Sequence, residues 1–257
     1  MTDLMMTNLI YRYSDLRLGK LLKRYKRFLA DIELDDGEVI TAHCPNTGPM
    51  TGVCVIGARV GVSYHDDPKR KLAYTWEIIE VDQTWVGINT SLPNRIVKEL
   101  LNQRLLPELG DYVSFKPEVA YGKEKSRIDF LLTYGTATEV TARHYLEVKN
   151  TTWTKGSLAL FPDTETTRGQ KHLRELMGLV SDGSGTAVTN HSSILFFINR
   201  GDCDSFAPGA EADPEYGRLF AAAKAAGVNI LPCRFMVSPE GVAFMGIVPL
   251  KEVPKEP

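Results

Sequence analysis

The 257-residue chain has few cysteines, no long apolar run and no excess of charge. Its four cysteines (Cys44, Cys54, Cys203 and Cys233) form no CxxC pair, which argues against a zinc site and indicates reduced thiols in a cytoplasmic protein. No apolar segment reaches the roughly 20 residues of a membrane helix, and MTDLMMTNLI lacks the features of a signal peptide. The formal net charge of -2 gives no sign of nucleic-acid binding, so such binding would need local patches.

Short strands separated by turns dominate the first ninety residues. In RFLADIEL, the apolar residues Phe28, Ala30, Ile32 and Leu34 recur at every second position, which is typical of a half-buried strand. An Asp-Gly turn leads to EVITAH, and ARVGVSY, YTWEIIEV and TWVGINT continue the series. Five strands in about seventy residues predict a small β-barrel of the OB type over residues 1–90.

The pattern changes to an α/β order over residues 91–257. LPNRIVKELLNQRLL has helical spacing, with Asn94 as the expected cap, and three strands follow it: VSFKPEVA, SRIDFLL and HYLEVKN. RGQKHLRELMGLV predicts a second helix, and SILFFIN a strand buried on both faces. A third helix begins after its cap Asp213 and ends at Gly227, and a hairpin closes the domain.

Three polar residues interrupt the otherwise apolar strands SRIDFLL and HYLEVKN. Side chains alternate along a strand, so Glu147 and Lys149 share a face, and Asp129 can meet them if the strands are neighbours. Two close carboxylates need a cation between them, and Mg²⁺ or Mn²⁺ suits that role, with the carbonyl of Val148 as a further candidate ligand. Lys149 would then act on a metal-bound water. The alternative is a solvated ion pair without catalytic function.

These residues resemble the PD-(D/E)xK nuclease motif, with Asp129 followed by Glu147-Val148-Lys149 and with Ile128 where a proline often stands. The whole chain is similar to the sugar fermentation stimulation protein A (SfsA) family, in the segments RYKRFLAD, AHCPNTGPMTG, DPKRKLAYTWE, SRIDFLL, EVKN and FPDTETTRGQKHLREL. The resemblance implies an N-terminal OB-like barrel, a PD-(D/E)xK restriction-endonuclease-like α/β domain, and DNA binding.

The same resemblance adds candidates around the motif. Gln170 and Lys171 lie at the start of the second helix, where many such nucleases carry a Gln or Lys that faces the metal; the alternative is a solvated helix face. Some members use another metal-ligating carboxylate, for which Glu118 is favoured over Glu99. From its position at a helix start, Arg168 is a candidate for binding phosphate.

Two segments combine cations with aromatic rings, as single-strand binding requires. The first places Lys23, Arg24, Lys26 and Arg27 around Tyr25, and the second places Lys69, Arg70 and Lys71 before Tyr74 and Trp76. The alternative is that the rings belong to the barrel core and the charges solvate its rim. Between these segments, PNTGPMTG predicts a tight loop, either a structural turn or a backbone cradle for phosphate.

We therefore predict a metal-dependent DNA nuclease, with a homodimer as a possible assembly. A non-catalytic DNA-binding regulator of sugar-metabolism genes is the main alternative. A phosphohydrolase that acts on nucleotides but not on polymers is the third.

Overall fold

The computed structural model describes residues 8–122, 126–136, 138–181 and 188–251. The helices are α1 (Leu92–Asn102), α2 (Thr167–Ser181) and α3 (Pro214–Ala225), with a short 3-10 helix at Pro107–Leu109. The strands are β1 (Leu9–Arg12), β2 (Arg17–Tyr25), β3 (Leu29–Leu34), β4 (Val39–His43), β5 (Arg59–Tyr64), β6 (Tyr74–Val81), β7 (Thr84–Gly87), β8 (Ser114–Tyr121), β9 (Ser126–Gly135), β10 (Val140–Thr151), β11 (Trp153–Lys155), β12 (Leu158–Phe161), β13 (Thr189–Ile198), β14 (Ser205–Pro208), β15 (Asn229–Ser238) and β16 (Gly241–Ile247).

A closed five-stranded barrel forms as predicted, but from β2 to β6: the unpredicted strand β2 takes the place that the sequence assigned to TWVGINT, which contains β7. β2 pairs with β3 and β5, β3 with β4, β5 with β6, and a short parallel pairing of β4 with β6 closes the ring. Ala30, Ile32 and Leu34 face the barrel core. Phe28 does not join them and is 45% exposed. The preceding Lys26 and Arg27 both adopt positive φ and form a tight hairpin turn that includes Phe28, so that β3 begins only at Leu29.

The second domain is α/β, as predicted, with a mixed sheet that has helices on both faces. Its strands run in the order β15-β13-β10-β9-β8, with β13 parallel to both neighbours. The buried strand β13 turns Leu195 and Phe197 into the core that α1 covers. Ile194 and Phe196 point into the opposite core, under α2 and α3. The apolar run SILFFIN therefore fills two cores, which explains why it shows no alternation.

Asp213 caps α3 as predicted, because its side chain accepts the backbone N–H of Tyr216 at 2.9 Å, and Gly227 follows the helix with φ +95°. The cap predicted for α1 is wrong. The helix begins at Leu92 with Ser91 as its N-cap residue and a proline in the first turn. Asn94 therefore lies inside the helix, where its side chain is free to reach another element.

Several short strands carried no sequence signal. β11, β12 and β14 form a separate three-stranded sheet. β1, also unpredicted, pairs with β16, whereas the predicted strand β7 pairs with β15 at Trp85 and Val237, so both ends of the N-terminal segment join the sheet of the second domain. The predicted domain boundary, between residues 90 and 91, falls between β7 and α1. Within the described ranges, no helix is long and apolar enough to cross a membrane.

Candidate active site

Asp129 and Glu147 come together where β9 and β10 separate. The antiparallel ladder between the two strands last pairs Phe130 with Leu146. At the next position, Oδ2 of Asp129 accepts the backbone N–H of Val148 at 2.7 Å. A side-chain carboxylate thus replaces a backbone carbonyl as the partner of β10, while the other edge of β10 stays paired with β13. This substitution holds the Asp129 carboxylate against the Glu147-Val148-Lys149 segment.

Glu147 is the centre of a buried polar cluster. Its carboxylate is about 5% exposed, and its Oε1 accepts from Nζ of Lys149 at 2.6 Å and from Nδ1 of His172. Nζ of Lys149 lies 3.0 Å from Nδ1 of His172. Strand alternation puts Glu147 and Lys149 on one face, and α2 lays His172 across that face. Because Nδ1 of His172 donates to Glu147, it cannot also accept from Lys149, so the ammonium group is fixed by Glu147 and lies beside the imidazole.

The two carboxylates differ in their electrostatics. Burial and the nearby Glu147 charge raise the pKa of Asp129 to about 6, although hydrogen bonds from Val148 and Asn94 oppose the rise. Burial also disfavours ionisation of Glu147, but the charge of Lys149 and the bond from His172 outweigh it and lower the pKa of Glu147. Glu147 is therefore the permanent anion of the pair, and Asp129 titrates near neutral pH.

The second oxygen of Glu147 is buried without a hydrogen-bond partner among the described residues. Among the described residues, the hydroxyls of Tyr121 and Tyr216 are also buried without a partner at hydrogen-bond geometry, although Tyr121 lies close enough to Glu175 to interact with it. The pKa of each tyrosine is raised, first by burial and then by the Glu147 charge. Both carboxylate oxygens of Glu175 on α2 share this lack of partners. Uncompensated buried oxygens are costly, so the free oxygen of Glu147 is suited to a positive group that the described residues do not supply.

The donor set fits a hard divalent cation. No group of three His, Cys, Asp or Glu side chains within the described ranges is placed to hold a metal. Mg²⁺, however, is usually held by one or two carboxylates and completes its shell with waters and substrate phosphate. Asp129 and the free oxygen of Glu147 meet that requirement. The N–H of Val148 is taken by Asp129, and a ligand role for the Val148 carbonyl stays a prediction.

The candidates on α2 are placed differently from one another. Gln170 is buried and donates its side-chain amide to both carboxylate oxygens of Asp213, at 3.0 and 3.1 Å. Its amide group thus faces the start of α3. Lys171 is half-buried and Arg168 is exposed in the first turn of α2. The residue of this helix that contacts Glu147 is His172.

Neither glutamate considered as an additional ligand contacts Asp129 or Glu147 through a recorded hydrogen bond. Glu118 lies opposite Asp129, between the pairs Pro117–Phe130 and Val119–Ile128, but it is exposed and its φ of 53° interrupts the strand. Its carbonyl accepts from Arg127 at 3.2 Å. Glu99 is half-buried on α1 and accepts from Gln103 at 2.6 Å.

The first basic segment is only partly open to solvent. Lys23 and Lys26 are exposed, and Nζ of Lys23 lies 4.9 Å from the ring centre of Tyr25. Arg24 instead donates to the carbonyl oxygens of residues 27, 46 and 48, each at 2.9 Å, and Arg27 donates to that of residue 47 at 2.7 Å. The two arginines therefore hold the loop that follows β4, which makes PNTG a braced structural turn.

The second basic segment keeps two free lysines. Lys69 and Lys71 are exposed, whereas Arg70 donates to the hydroxyl of Thr75 at 2.8 Å. Trp76 is fully buried and donates its indole N–H to the carbonyl of residue 78, so its ring belongs to the barrel core. For Trp76, the alternative that the aromatic ring belongs to the barrel core and does not stack on bases is therefore right.

Sequence reasoning missed two residues of the site. His172 is 4% exposed; it directly precedes Leu173 and lies one turn before Leu176, so its place at the edge of the apolar stripe could have indicated that it faces the sheet. Asn94 donates to Oδ1 of Asp129 at 2.7 Å. The signal was Pro93, which favours the first turn of a helix and leaves Asn94 inside it.

Comparison with known proteins agrees with this architecture. Residues 22–88 match the family model described as the SfsA N-terminal OB domain, and residues 91–241 match the sugar fermentation stimulation protein RE domain. A sugar fermentation stimulation protein homolog of Picosynechococcus sp. is 60% identical over 245 residues, covering 93% of each chain. The homolog of Synechocystis sp. is 58% identical over 243 residues, covering 94% of this chain and 98% of its own.

A solved structure of Pyrococcus furiosus SfsA in complex with Ca²⁺ has the same fold. It superposes with a TM-score of 0.81 at 23% identity, covering 95% of this chain and 99% of the other. The two matched domains and the full-length relatives together show that this chain belongs to the SfsA, or sugar fermentation stimulation protein, family.

Proposed function

We propose that this protein binds DNA and hydrolyses its phosphodiester bonds with a divalent cation, Mg²⁺ or Mn²⁺, held by Asp129 and Glu147. The observation that carries the proposal is the buried, unpartnered oxygen of Glu147 beside a second carboxylate whose pKa burial and the Glu147 charge raise. The Ca²⁺ in the Pyrococcus furiosus relative supports it, because Ca²⁺ is also a hard cation that prefers oxygen ligands.

When bound, such a cation polarises the phosphate and makes a water more acidic. The chain supplies positioning around it. Lys149, fixed by Glu147 and adjacent to His172, presents a positive charge where a water attacks and where negative charge develops on the phosphate. Asn94 and the N–H of Val148 orient the Asp129 carboxylate. His172 holds the Glu147 oxygen that faces Lys149, so that the other oxygen is left for the cation.

The exposed lysines of the barrel are the proposed contacts with the DNA backbone. Lys23, Lys26, Lys69 and Lys71 are exposed on its surface. Arg168 adds a charge at the start of α2, where free backbone N–H groups also attract anions. Cutting both strands of a duplex would require two such sites, so a homodimer belongs to the proposal for duplex substrates. A cytoplasmic location is supported by the free thiols of all four cysteines.

Cleavage of labelled single-stranded, double-stranded and branched DNA, with Mg²⁺, Mn²⁺ or EDTA, tests the proposal. We expect metal-dependent cutting by the wild type and a loss of about 100-fold or more in Lys149→Ala and Glu147→Gln. Lys155→Ala is the matched control, because Lys155 is an exposed lysine of the same domain that pairs with Glu211 on the surface. If Lys149→Ala and Glu147→Gln cut DNA as well as the control does, these residues do not form the active site.

The second candidate function is a DNA-binding regulator that does not cut, which the relatives' name, sugar fermentation stimulation protein, favours. Such a protein would bind DNA with the salt dependence of phosphate contacts, with or without Mg²⁺. Asp129→Ala would leave its affinity unchanged. Tight binding without cutting in any metal would decide for this candidate.

A further inference from the structure

A cavity of about 170 Å³ lies between the two domains, at the end of β10. Asn46 and Thr90 line it from the barrel side, and residues 150–153, Phe161 and Asp163 line it from the second domain. The backbone N–H of Thr51 donates to Oδ2 of Asp163 at 3.2 Å and ties the two sides together. The lining begins one residue after Lys149, so the cavity is next to the candidate active site.

Both walls of the cavity are held in place by the fold. On the barrel side, Arg24 binds the carbonyl oxygens of residues 46 and 48, and Oδ1 of Asn46 accepts the N–H of Gly48 at 2.9 Å. On the other side, the Asn199 amide donates to Oδ1 of Asn150 at 3.0 Å. A preformed cavity loses little conformational freedom when a ligand enters, which favours binding.

The size of the cavity matches a single aromatic ring. A protein cavity of about 150 Å³ admits benzene, so 170 Å³ accommodates one six-membered ring with its substituents but not a whole nucleotide. The half-buried ring of Trp153 and that of Phe161 offer apolar faces to such a ring. Asn46 and Thr90 bring an amide and a hydroxyl that can contact a polar ring edge.

Charge decides which kind of ring fits. Asp163 is the only charged residue among those described that line the cavity, so a phosphate is disfavoured there and a hydrogen-bond donor is favoured. In base recognition, Asp or Glu accepts from the exocyclic amine of cytosine. Thymine presents a carbonyl oxygen at the same position and would meet the carboxylate unfavourably.

We propose that this cavity receives one unpaired pyrimidine base, cytosine in preference to thymine, from a DNA strand whose phosphate lies at Lys149. The base must be unpaired, because a ring inside a duplex cannot enter a recess between the two domains without leaving its stack. At about 3.3 Å per residue, Trp153 lies within roughly 13 Å of Lys149. The inference depends on the proposed binding of DNA, but it concerns recognition and does not require cleavage.

Binding in EDTA tests the inference without cutting. Fluorescence anisotropy would compare single strands of equal length made of deoxycytidine, of deoxythymidine, or of abasic sites, at one salt concentration. We expect the wild type to bind the cytosine strand about tenfold more tightly than the thymine strand, and the abasic strand most weakly. Trp153→Ala should weaken binding of both base-containing strands about tenfold, and Trp153→Phe should restore most of the loss.

Asp163→Asn separates base choice from overall affinity. The amide retains an oxygen for the N–H of Thr51, so the wall stays tied, but the preference for cytosine should disappear while affinity for the thymine strand is kept. Asp111→Asn, an exposed position of the second domain, is the matched control and should keep the preference. If Trp153→Ala fails to fold, the wild-type preference and Asp163→Asn decide the question.

The outcomes distinguish this inference from the proposed function. Equal affinity of the wild type for all three strands would overturn the cavity's role and leave DNA binding intact. A cytosine preference that survives in Asp163→Asn would overturn it as well. No binding of any strand would overturn both the inference and the proposed function.

Discussion

Gln170 and Asp213 join α2 to the first turn of α3. The side-chain amide of Gln170 donates to both oxygens of the Asp213 carboxylate, at 3.0 and 3.1 Å. The same carboxylate accepts the backbone N–H groups of Thr166 and Tyr216, each at 2.9 Å. Three donor groups thus make four hydrogen bonds to the carboxylate of Asp213, which is 1% exposed, so this is a structural junction between α2 and α3.

Gln170→Leu should therefore reduce stability. Removing a donor from a buried carboxylate costs about 1–3 kcal/mol, and the measurement is urea denaturation of the wild type and the variant. Gln103→Ala, which changes an exposed glutamine just after α1, should stay within about 0.5 kcal/mol. A Gln170 variant with unchanged stability and abolished DNA cleavage would instead assign Gln170 to the reaction.

The strand part of the site could be predicted because a strand has a period of two. Once HYLEVKN is taken as a strand, Glu147 and Lys149 must share a face, and the structure brings both to Asp129. The five-stranded barrel follows from the same alternation, because its apolar positions face one core.

The helical part could not be predicted because it depends on how each helix is rotated. Gln170, Lys171 and His172 differ by about 100° per residue around α2, so the choice between them depends on packing that the sequence does not state. Asn94 was misplaced for a related reason: a shift of the helix start by two residues changes a cap into an interior side chain that reaches Asp129.

The titration of Asp129 should appear in the pH dependence of stability. Its pKa in the folded protein, about 6, lies above the ordinary value of about 3.9, so the folded state keeps a proton that the unfolded chain has lost. The contribution of Asp129 to the free energy of unfolding is therefore complete below about pH 4 and lost as the pH rises through about 6. The total change is up to about 3 kcal/mol.

Asp129→Asn removes this titration. Relative to the wild type, the variant should gain stability as the pH rises from about 4 to 7, as measured by urea denaturation at a series of pH values. Mg²⁺ or Mn²⁺ should restore the wild type above pH 6 by binding the ionised carboxylate, and it should stabilise the variant less. A difference in stability that does not change with pH would contradict the raised pKa.

His172 should act as a positioning residue. His172→Ala leaves Oε1 of Glu147 with Lys149 alone, so the carboxylate loses a fixed orientation and the divalent cation should bind about 10–100-fold more weakly. Mn²⁺ titration followed by calorimetry measures this directly, without DNA. His191→Ala, an exposed histidine on β13, should leave the affinity unchanged, and His172→Gln should recover part of the loss through its amide donor. Unaltered Mn²⁺ binding in His172→Ala would show that Glu147 needs no such support.

The basic residues of the barrel should fall into two classes. Lys69→Ala and Lys23→Ala remove exposed charges, so each should weaken DNA binding at low salt and lower the slope of log K against log salt by about 0.7–0.9 for each phosphate that the variant no longer neutralises. Arg24→Ala removes the donor that braces residues 46–48, so it should lower the free energy of unfolding by about 1–3 kcal/mol.

Because the loop that Arg24 holds also lines the cavity between the domains, Arg24→Ala should reduce the preference for cytosine strands, which neither lysine variant should alter. Lysine variants with an unchanged salt slope would place the DNA on another surface. If Arg24→Ala instead keeps native stability and only weakens the salt-dependent affinity for DNA, then Arg24 binds phosphate. The comparison thus separates residues that meet DNA from residues that shape the site it enters.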